Sequence, residues 1–427
     1  MSEMSFAEAE TIITNAVGNT QRLKADYNLD RMQKIMLALG NPQDKVKVVH
    51  VAGTSGKTST SYFIASLLQM NGKKVGLTVS PHIESIRDRV QINLVPLSEQ
   101  HFAEYFAEFW QVVEATHIEL TYFEILVAFA YWVFAKEEVD YAVVEVGLGG
   151  LLDGTNVVMR EDKVCVITDI GFDHVAILGN TLPEIAAQKA GIIQQNNLVL
   201  TYEQDPQIME QITTRVGVKK AHLEIAAPEV SSDLQTAVQN LPLYQQHNWQ
   251  LAYSVWMAIK ELDNLNDLSN DQLAKTMITV PGRQEVYEKN GKTIILDGAH
   301  NPQKAEALAA SLAQKYQGQK FALGLAIKED KDYQATLNIL LPLATKVIAT
   351  KLMGSQDILF NSVATEKIAK VCEKYSLPFG YKEDHQEFLN ALLDQQDKFV
   401  LITGSLYLVS SIRGLLTNEV AKTEVIC

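Results

Sequence analysis

Apolar and polar positions alternate along this chain with two periods, and the switches between them outline an α/β protein. Residues 1–39 carry apolar positions at helical spacing, and Asn41-Pro42 ends that pattern. The β-branched run 47–52 predicts a buried strand that leads into Gly53-Thr54-Ser55-Gly56-Lys57-Thr58-Ser59. A helical pattern follows to residue 69, and 73–80 predicts the next strand. This is a βαβ unit and therefore a parallel sheet. Further strands are expected at 141–146, 164–168 and 198–201, alternating with helices at 98–115, 121–136 and 183–190. Residues 226–241 read as a soft connection rich in Pro, Ser, Asp and Gln, before a helix at 248–263 and a polar stretch to residue 271.

Val280-Pro281-Gly282-Arg283 predicts a turn where a second α/β alternation begins. Its strands are expected at 293–296, 321–325, 344–349 and 398–402, and its helices at 303–316, 362–374 and 405–416. The expected organisation is a large α/β domain over residues 1–282 and a smaller one over 283–427.

Composition narrows the function classes. The 427 residues are 47% hydrophobic and 21% charged, enough apolar material for packed cores. Lys plus Arg number 37 against 51 Asp plus Glu, a formal charge of −14, which argues against a surface built to grip nucleic acid or an anionic membrane. Cys165, Cys372 and Cys427 are too few for a disulfide framework, so a cytoplasmic setting is expected. The most apolar run, residues 125–135, is stopped by Lys136-Glu137-Glu138 and is too short to span a bilayer, so it reads as a core helix.

The strongest chemical signal is the glycine loop. Glycines let backbone N–H groups close around a phosphate, and the following helix offers its N-terminus to the anion. Lys57 can reach the terminal phosphates, and the hydroxyl of Thr58 or Ser59 can ligate Mg²⁺. Val51 stands where a standard phosphate loop has its first glycine, so this is a shortened form, and no base-reading motif of a GTPase accompanies it. Glu145 closes a strand and is followed by Gly147, Gly149 and Gly150. A carboxylate at that end of a parallel strand points to the ligand edge of the sheet and can hold Mg²⁺. His174 follows the next strand. Mg²⁺ prefers oxygen, so His174 alone reads as a hydrogen-bonded loop histidine, and Lys189 alone as a surface lysine. Asn301 and Pro302 suit an N-cap and a first helical turn. Arg283 is suited to spread phosphoryl charge.

Together these stretches resemble one branch of the Mur ligase superfamily, the folylpolyglutamate synthase and dihydrofolate synthase family. The resemblance is carried by residues 39–59, Ser80-Pro81-His82, Asp88-Arg89-Val90, Thr121-Tyr122-Phe123-Glu124 and residues 145–156. It continues in Asp173-His174, Lys189-Ala190-Gly191-Ile192, Pro281-Gly282-Arg283, Asp297-Gly298-Ala299-His300-Asn301-Pro302 and Gly404-Ser405-Leu406-Tyr407, all in the family's order. The resemblance implies a P-loop-type, Mur-ligase-like large domain and a Rossmann-like C-terminal domain. It also implies an ATP-dependent ligase that joins L-glutamate to a folate, or to dihydropteroate, through an acyl phosphate. By resemblance, Ser80, Glu145 and His174 bind Mg²⁺ beside Thr58 and Ser59, and Lys189 is carbamylated, with room for a monovalent cation. Lys57, Lys189, His174 and Arg283 are then the catalytic set. Gly53, Thr54, Gly56, Lys57, Thr58 and Ser59, with Asn248, Arg283, Asp297 and His300, contact the nucleotide. Asp30, Arg31, Thr121, Tyr122, Phe123, Glu124, Asp153 and Gly154 face the pterin, although Tyr122 and Phe123 serve equally well as helix core.

The chain departs from the family pattern at Leu151, where an arginine is usual, at Gly154 and Gln188, and at Ser55, Thr58 and Asp88. A monomer acting on small molecules is expected. The competing expectations are another Mur-type amide ligase, such as one acting on peptidoglycan precursors, and an ATP-binding paralogue without turnover.

Overall fold

The computed structural model describes residues 4–22, 28–227, 230–352, 361–394 and 396–424. The chain forms two compact units. The first is built from Met1–Leu241 with Gln245–Ile278, and the second from Pro242–Tyr244, Thr279–Ser355 and Leu359–Cys427.

The first unit holds an eight-stranded sheet. Its strands are β1 (Lys47–Ala52), β2 (Val75–Thr78), β3 (Gln91–Ile92), β4 (Val95–Pro96), β5 (Tyr141–Glu145), β6 (Val164–Ile167), β7 (Leu198–Thr201) and β8 (His222–Ile225), in the order β4-β3-β2-β5-β1-β6-β7-β8. Strands β2, β5, β1, β6, β7 and β8 are parallel, and β3 and β4 continue the edge antiparallel. Central strands buried on both faces need apolar runs, which is why 47–52, 141–146 and 164–168 stand out in the sequence. Register then sets the site: Val51 pairs with Glu145 on one side of β1, and Ala52 with Ile167 on the other. The ends of β5, β1 and β6 therefore emerge side by side. The helix Tyr122–Lys136 packs its aromatic face into the core with Phe102, Phe106 and Phe109.

The second unit holds a six-stranded sheet of β9 (Glu285–Lys289), β10 (Lys292–Leu296), β11 (Phe321–Leu325), β12 (Ala344–Ala349), β13 (Phe379–Tyr381) and β14 (Phe399–Thr403), in the order β13-β12-β11-β14-β10-β9. Only β9 runs antiparallel to its neighbour. Two apolar clusters cover its faces. Both sheets with their helices make this an α/β protein of the expected class. No helix among the described residues is long and apolar enough to cross a membrane.

Two expectations need correction. The soft region 226–241 contains a helix, Ser232–Gln239, capped by the Ser231 hydroxyl and anchored by Leu234 and Val238. The N-terminal helical stretch is not continuous; it forms Phe6–Asn15, Val17–Arg22 and Asp30–Ala38.

Candidate active site

The phosphate loop leaves β1 at Gly53 and enters the helix Lys57–Met70 at Gly56, which has φ 90°. A Cβ at Gly53 would collide with Thr168 Oγ1, and one at Gly56 with Asn248 Oδ1. Glycine is required at both for space as well as for dihedral freedom. No side chain caps this helix, and the positive end of its backbone dipole is an end that suits an anion. The loop is buttressed by the segment after β6. Asp169 O accepts from Thr54 N at 2.7 Å and Ser55 N at 3.1 Å. Thr168 Oγ1 donates to Ser55 O at 2.7 Å, and Thr54 Oγ1 to Gly171 O at 3.0 Å. The sequence reading missed Thr168 and Asp169; their signal is position alone, a hydroxyl and an acid directly after a central strand.

Glu145 is buried at the end of β5. Its Oε1 accepts from Thr58 Oγ1 at 2.9 Å and its Oε2 from Ser80 N at 3.1 Å. Thr58, Ser80 and Glu145 are thus brought together, with Ser59 buried one residue along the helix. A carboxylate with serine and threonine hydroxyls is an oxygen donor set of the kind Mg²⁺ takes. No group of three or more His, Cys, Asp or Glu is gathered for a metal among the described residues, so a cation here would lean on hydroxyl, water and phosphate oxygens. His174 occupies the N-cap position of a four-residue helix after β6, with Nε2 3.8 Å from Asp173 Oδ1 and a side chain 40% exposed. Lys189 is not at the surface: it is buried, and its Nζ donates to Gly53 O at 2.8 Å. Asn248 is buried beside Gly56 and donates to Gln245 Oε1 at 3.1 Å.

A second group lies where the helix Tyr122–Lys136 begins. Thr121 and Glu124 form a reciprocal capping box, with Glu124 N to Thr121 Oγ1 at 3.2 Å and Thr121 N to Glu124 Oε2 at 2.8 Å. Arg31 Nη2 reaches Glu124 Oε1 at 3.0 Å, one residue after Asp30. Tyr122 is core, whereas Phe123 is half-buried, and its ring fills the space a Cβ at Gly147 would need and borders the one at Gly154. Asp153 turns into its own loop, accepting from Leu148 N at 2.7 Å and Thr155 N at 3.0 Å. Burial pushes its carboxyl above the usual range, against those donors. Asn156, also missed, donates to Leu151 O at 3.0 Å and Gly191 O at 3.2 Å, tying this loop to the helix that carries Lys189.

In the second unit Asp297 follows β10 and is buried. It accepts from Tyr244 Oη at 2.6 Å, Gln284 N at 3.0 Å and Ala299 N at 2.9 Å. Burial raises its carboxyl above the ordinary range, opposed by the Tyr244 hydroxyl and the Arg283 guanidinium. Arg283 Nη1 donates to Gly282 O at 3.0 Å. His300 Nδ1 lies 2.8 Å from Gly298 O, and its Nε2 lies 3.0 Å from Lys304 Nζ. Asn301 is the expected N-cap, accepting from Lys304 N at 2.9 Å.

Comparison with known proteins gives this arrangement its class. Residues 51–248 match the Mur ligase middle domain, so the first unit carries the core of a Mur-type ligase. Residues 283–416 match the C-terminal domain of dihydrofolate synthetase. The chain is 31% identical over 421 residues to the dihydrofolate synthase/folylpolyglutamate synthase of Bacillus subtilis, covering 91% of this chain and 94% of that one. It is 30% identical over 413 residues to the folylpolyglutamate synthase of Lacticaseibacillus casei, covering 90% and 94%. Among solved structures, the Mycobacterium tuberculosis folylpolyglutamate synthase complexed with ADP and AMPPCP superposes with a TM-score of 0.80 at 28% identity, covering 95% of this chain and 99% of that one. The chain belongs to the folylpolyglutamate synthase/dihydrofolate synthase family and is an enzyme of that ligase family.

Proposed function

We propose that this enzyme uses ATP to join the amine of L-glutamate to the carboxylate of a pteroyl acceptor, either a reduced folate or dihydropteroate. The observation that carries the reading is the phosphate loop with Thr58 hydrogen-bonded to the buried carboxylate of Glu145. A carboxylate is a poor electrophile, so it must be activated. The acceptor carboxylate attacks the γ-phosphorus of ATP, the bond to the bridging oxygen breaks, and an acyl phosphate and ADP result. The glutamate amine, as its free base, then attacks the acyl carbon. The tetrahedral intermediate collapses with loss of phosphate and leaves the amide.

The residues mainly position and neutralise. The N–H groups at the start of the helix Lys57–Met70 and the Lys57 ammonium hold the phosphates. Glu145, Ser80, the Thr58 and Ser59 hydroxyls and His174 are proposed to hold Mg²⁺, which when bound offsets phosphate charge. Lys189 is proposed as a carbamylation site; unmodified, it donates to the Gly53 carbonyl at 2.8 Å. Asn248, Arg283, Asp297 and His300 are assigned to the nucleotide. Asp30, Arg31, Thr121, Tyr122, Phe123, Glu124, Asp153 and Gly154 are assigned to the pteridine end of the acceptor. We assign residues 1–282 to ATP and folate binding and 283–427 to glutamate ligation, in a monomer working in the cytoplasm.

The test is turnover with dihydropteroate beside tetrahydrofolate, each with ATP and glutamate, with products resolved by mass. A mass gain of one glutamyl residue with stoichiometric ADP supports the reading. ADP release that is independent of both acceptor and glutamate would sink it. Lys57→Ala is expected to abolish acceptor-dependent ADP release while the protein stays folded.

A further inference from the structure

Histidine 50 lies inside β1, three residues before the phosphate loop, and is fully buried. A strand core position flanked by valines would ordinarily hold another aliphatic residue. Its Nε2 is 2.8 Å from Thr155 Oγ1, and its Nδ1 has no hydrogen-bond partner among the described residues.

The proton count decides what this pair does. Thr155 has one hydroxyl proton. Its Oγ1 lies 2.5 Å from Asp153 Oδ1, and a carboxylate accepts, so the proton goes there. The threonine oxygen can then only accept from His50, which assigns the proton to Nε2. The orphaned Nδ1 is left as a lone pair, a lesser penalty than a buried N–H without an acceptor. The imidazole is neutral: burial first, then the Lys163 ammonium, holds it well below its ordinary range. Tyr131 Oη steadies the same residue from the helix side, donating to Thr155 O at 3.1 Å. The far carboxylate oxygen of Asp153 accepts from Leu148 N at 2.7 Å, which closes the glycine loop that begins just after Glu145.

We infer that His50 is a positioning residue for the acceptor. Its Nε2–H fixes the Thr155 hydroxyl, which fixes the Asp153 carboxylate and with it the 147–155 loop. The same strand thus delivers the phosphate loop at its end and sets the acceptor loop through its interior. The inference rests on the assignment of Asp153 and Gly154 to the acceptor made above.

Three substitutions separate hydrogen bonding from packing. His50→Leu removes the donor, His50→Asn places an amide nitrogen at the wrong ring position, and His50→Gln places one where Nε2 was. Leu and Asn are expected to raise the KM for the pteroyl acceptor about five- to tenfold, with the KM for ATP held within about twofold and Gln near wild type. Thr155→Val should reproduce the effect, and the double variant should be no worse than either single one. Equal behaviour of Leu and Gln, or an unchanged acceptor KM in His50→Leu, would overturn the role. Amide exchange in the ligand-free protein gives a readout that needs no turnover. Leu148 should lose protection in Thr155→Val and in any folded His50→Leu, and full protection there would overturn the inference. Should the wild type turn over no pteroyl acceptor, the assignment of function has failed, while the exchange result still decides whether His50 sets the loop.

Discussion

Glu145 and Asp297 are both buried carboxylates at the ligand-side end of a parallel strand, yet they are held by different kinds of partner. Glu145 receives one backbone N–H and the hydroxyl of Thr58, a side chain that is itself suited to a cation. Asp297 receives two backbone N–H groups and the Tyr244 phenol. The first arrangement presents exchangeable oxygens next to an uncapped helix start. The second is a strut that fixes the turn at Gln284 and the turn into the helix Pro302–Lys315. Position on a sheet edge therefore nominates an acid, and its hydrogen-bond partners show how far that acid also braces the backbone around it.

The largest expected effect tests the first half of that contrast. Glu145→Gln should lower acceptor-dependent ADP release by about 10²–10³-fold, because charge toward a cation is lost while shape is kept. Its thermal midpoint should stay close to wild type; a large fall in midpoint would make Glu145 a strut as well. Asp297→Asn tests the other half. Turning an amide toward three donors should cost about 2–3 kcal/mol in denaturant unfolding, and a stability-neutral result would remove the contrast.

A smaller effect concerns pH. His50 has a folded pKa below its unfolded one, so the unfolded chain binds more protons in acid. Its share of stability is fully present above the unfolded value and declines as pH falls below about 6.5, by up to about 1.4 kcal/mol per pH unit. His50→Gln should flatten that slope between pH 6.5 and 5 in urea titrations; an identical slope would place the titration elsewhere. Smallest of all, Thr121→Ala removes one side of a capping box and should cost about 1 kcal/mol, read by thermal melting.

What the sequence disclosed follows a physical divide. Central strands and the phosphate loop were legible because full burial forces apolar runs and close backbone approach forces glycine. The edges were not. Strand β8 has no fully buried residue, and the pair β3 and β4 has two residues in each strand. The helix Pro206–Lys219 buries only Ile208 and Ile212, and Tyr333–Leu340 and His385–Leu393 are too short for their period to stand out from their surroundings. In the site, Glu145 and Lys57 carried motif signals, whereas Thr168, Asp169 and Thr155 act through hydrogen bonds across 100 or more residues, as the Thr54 to Gly171 span of 117 illustrates. Lys189 on residue type alone reads as a surface lysine, whereas the resemblance calls for a shielded one, and the fold buries it under the Gly53 carbonyl.

The Asp169 carbonyl, which holds the amides of both Thr54 and Ser55, has a consequence for how the enzyme meets its anion. Two of the loop's N–H groups are already committed inside the protein, so the stretch proposed to face phosphate starts at Gly56. The first half of the motif works as a hinge pin and only the second half as a receptor. Tightening or loosening the turn at 168–171 would then re-aim the receptor without touching a single atom assigned to phosphate.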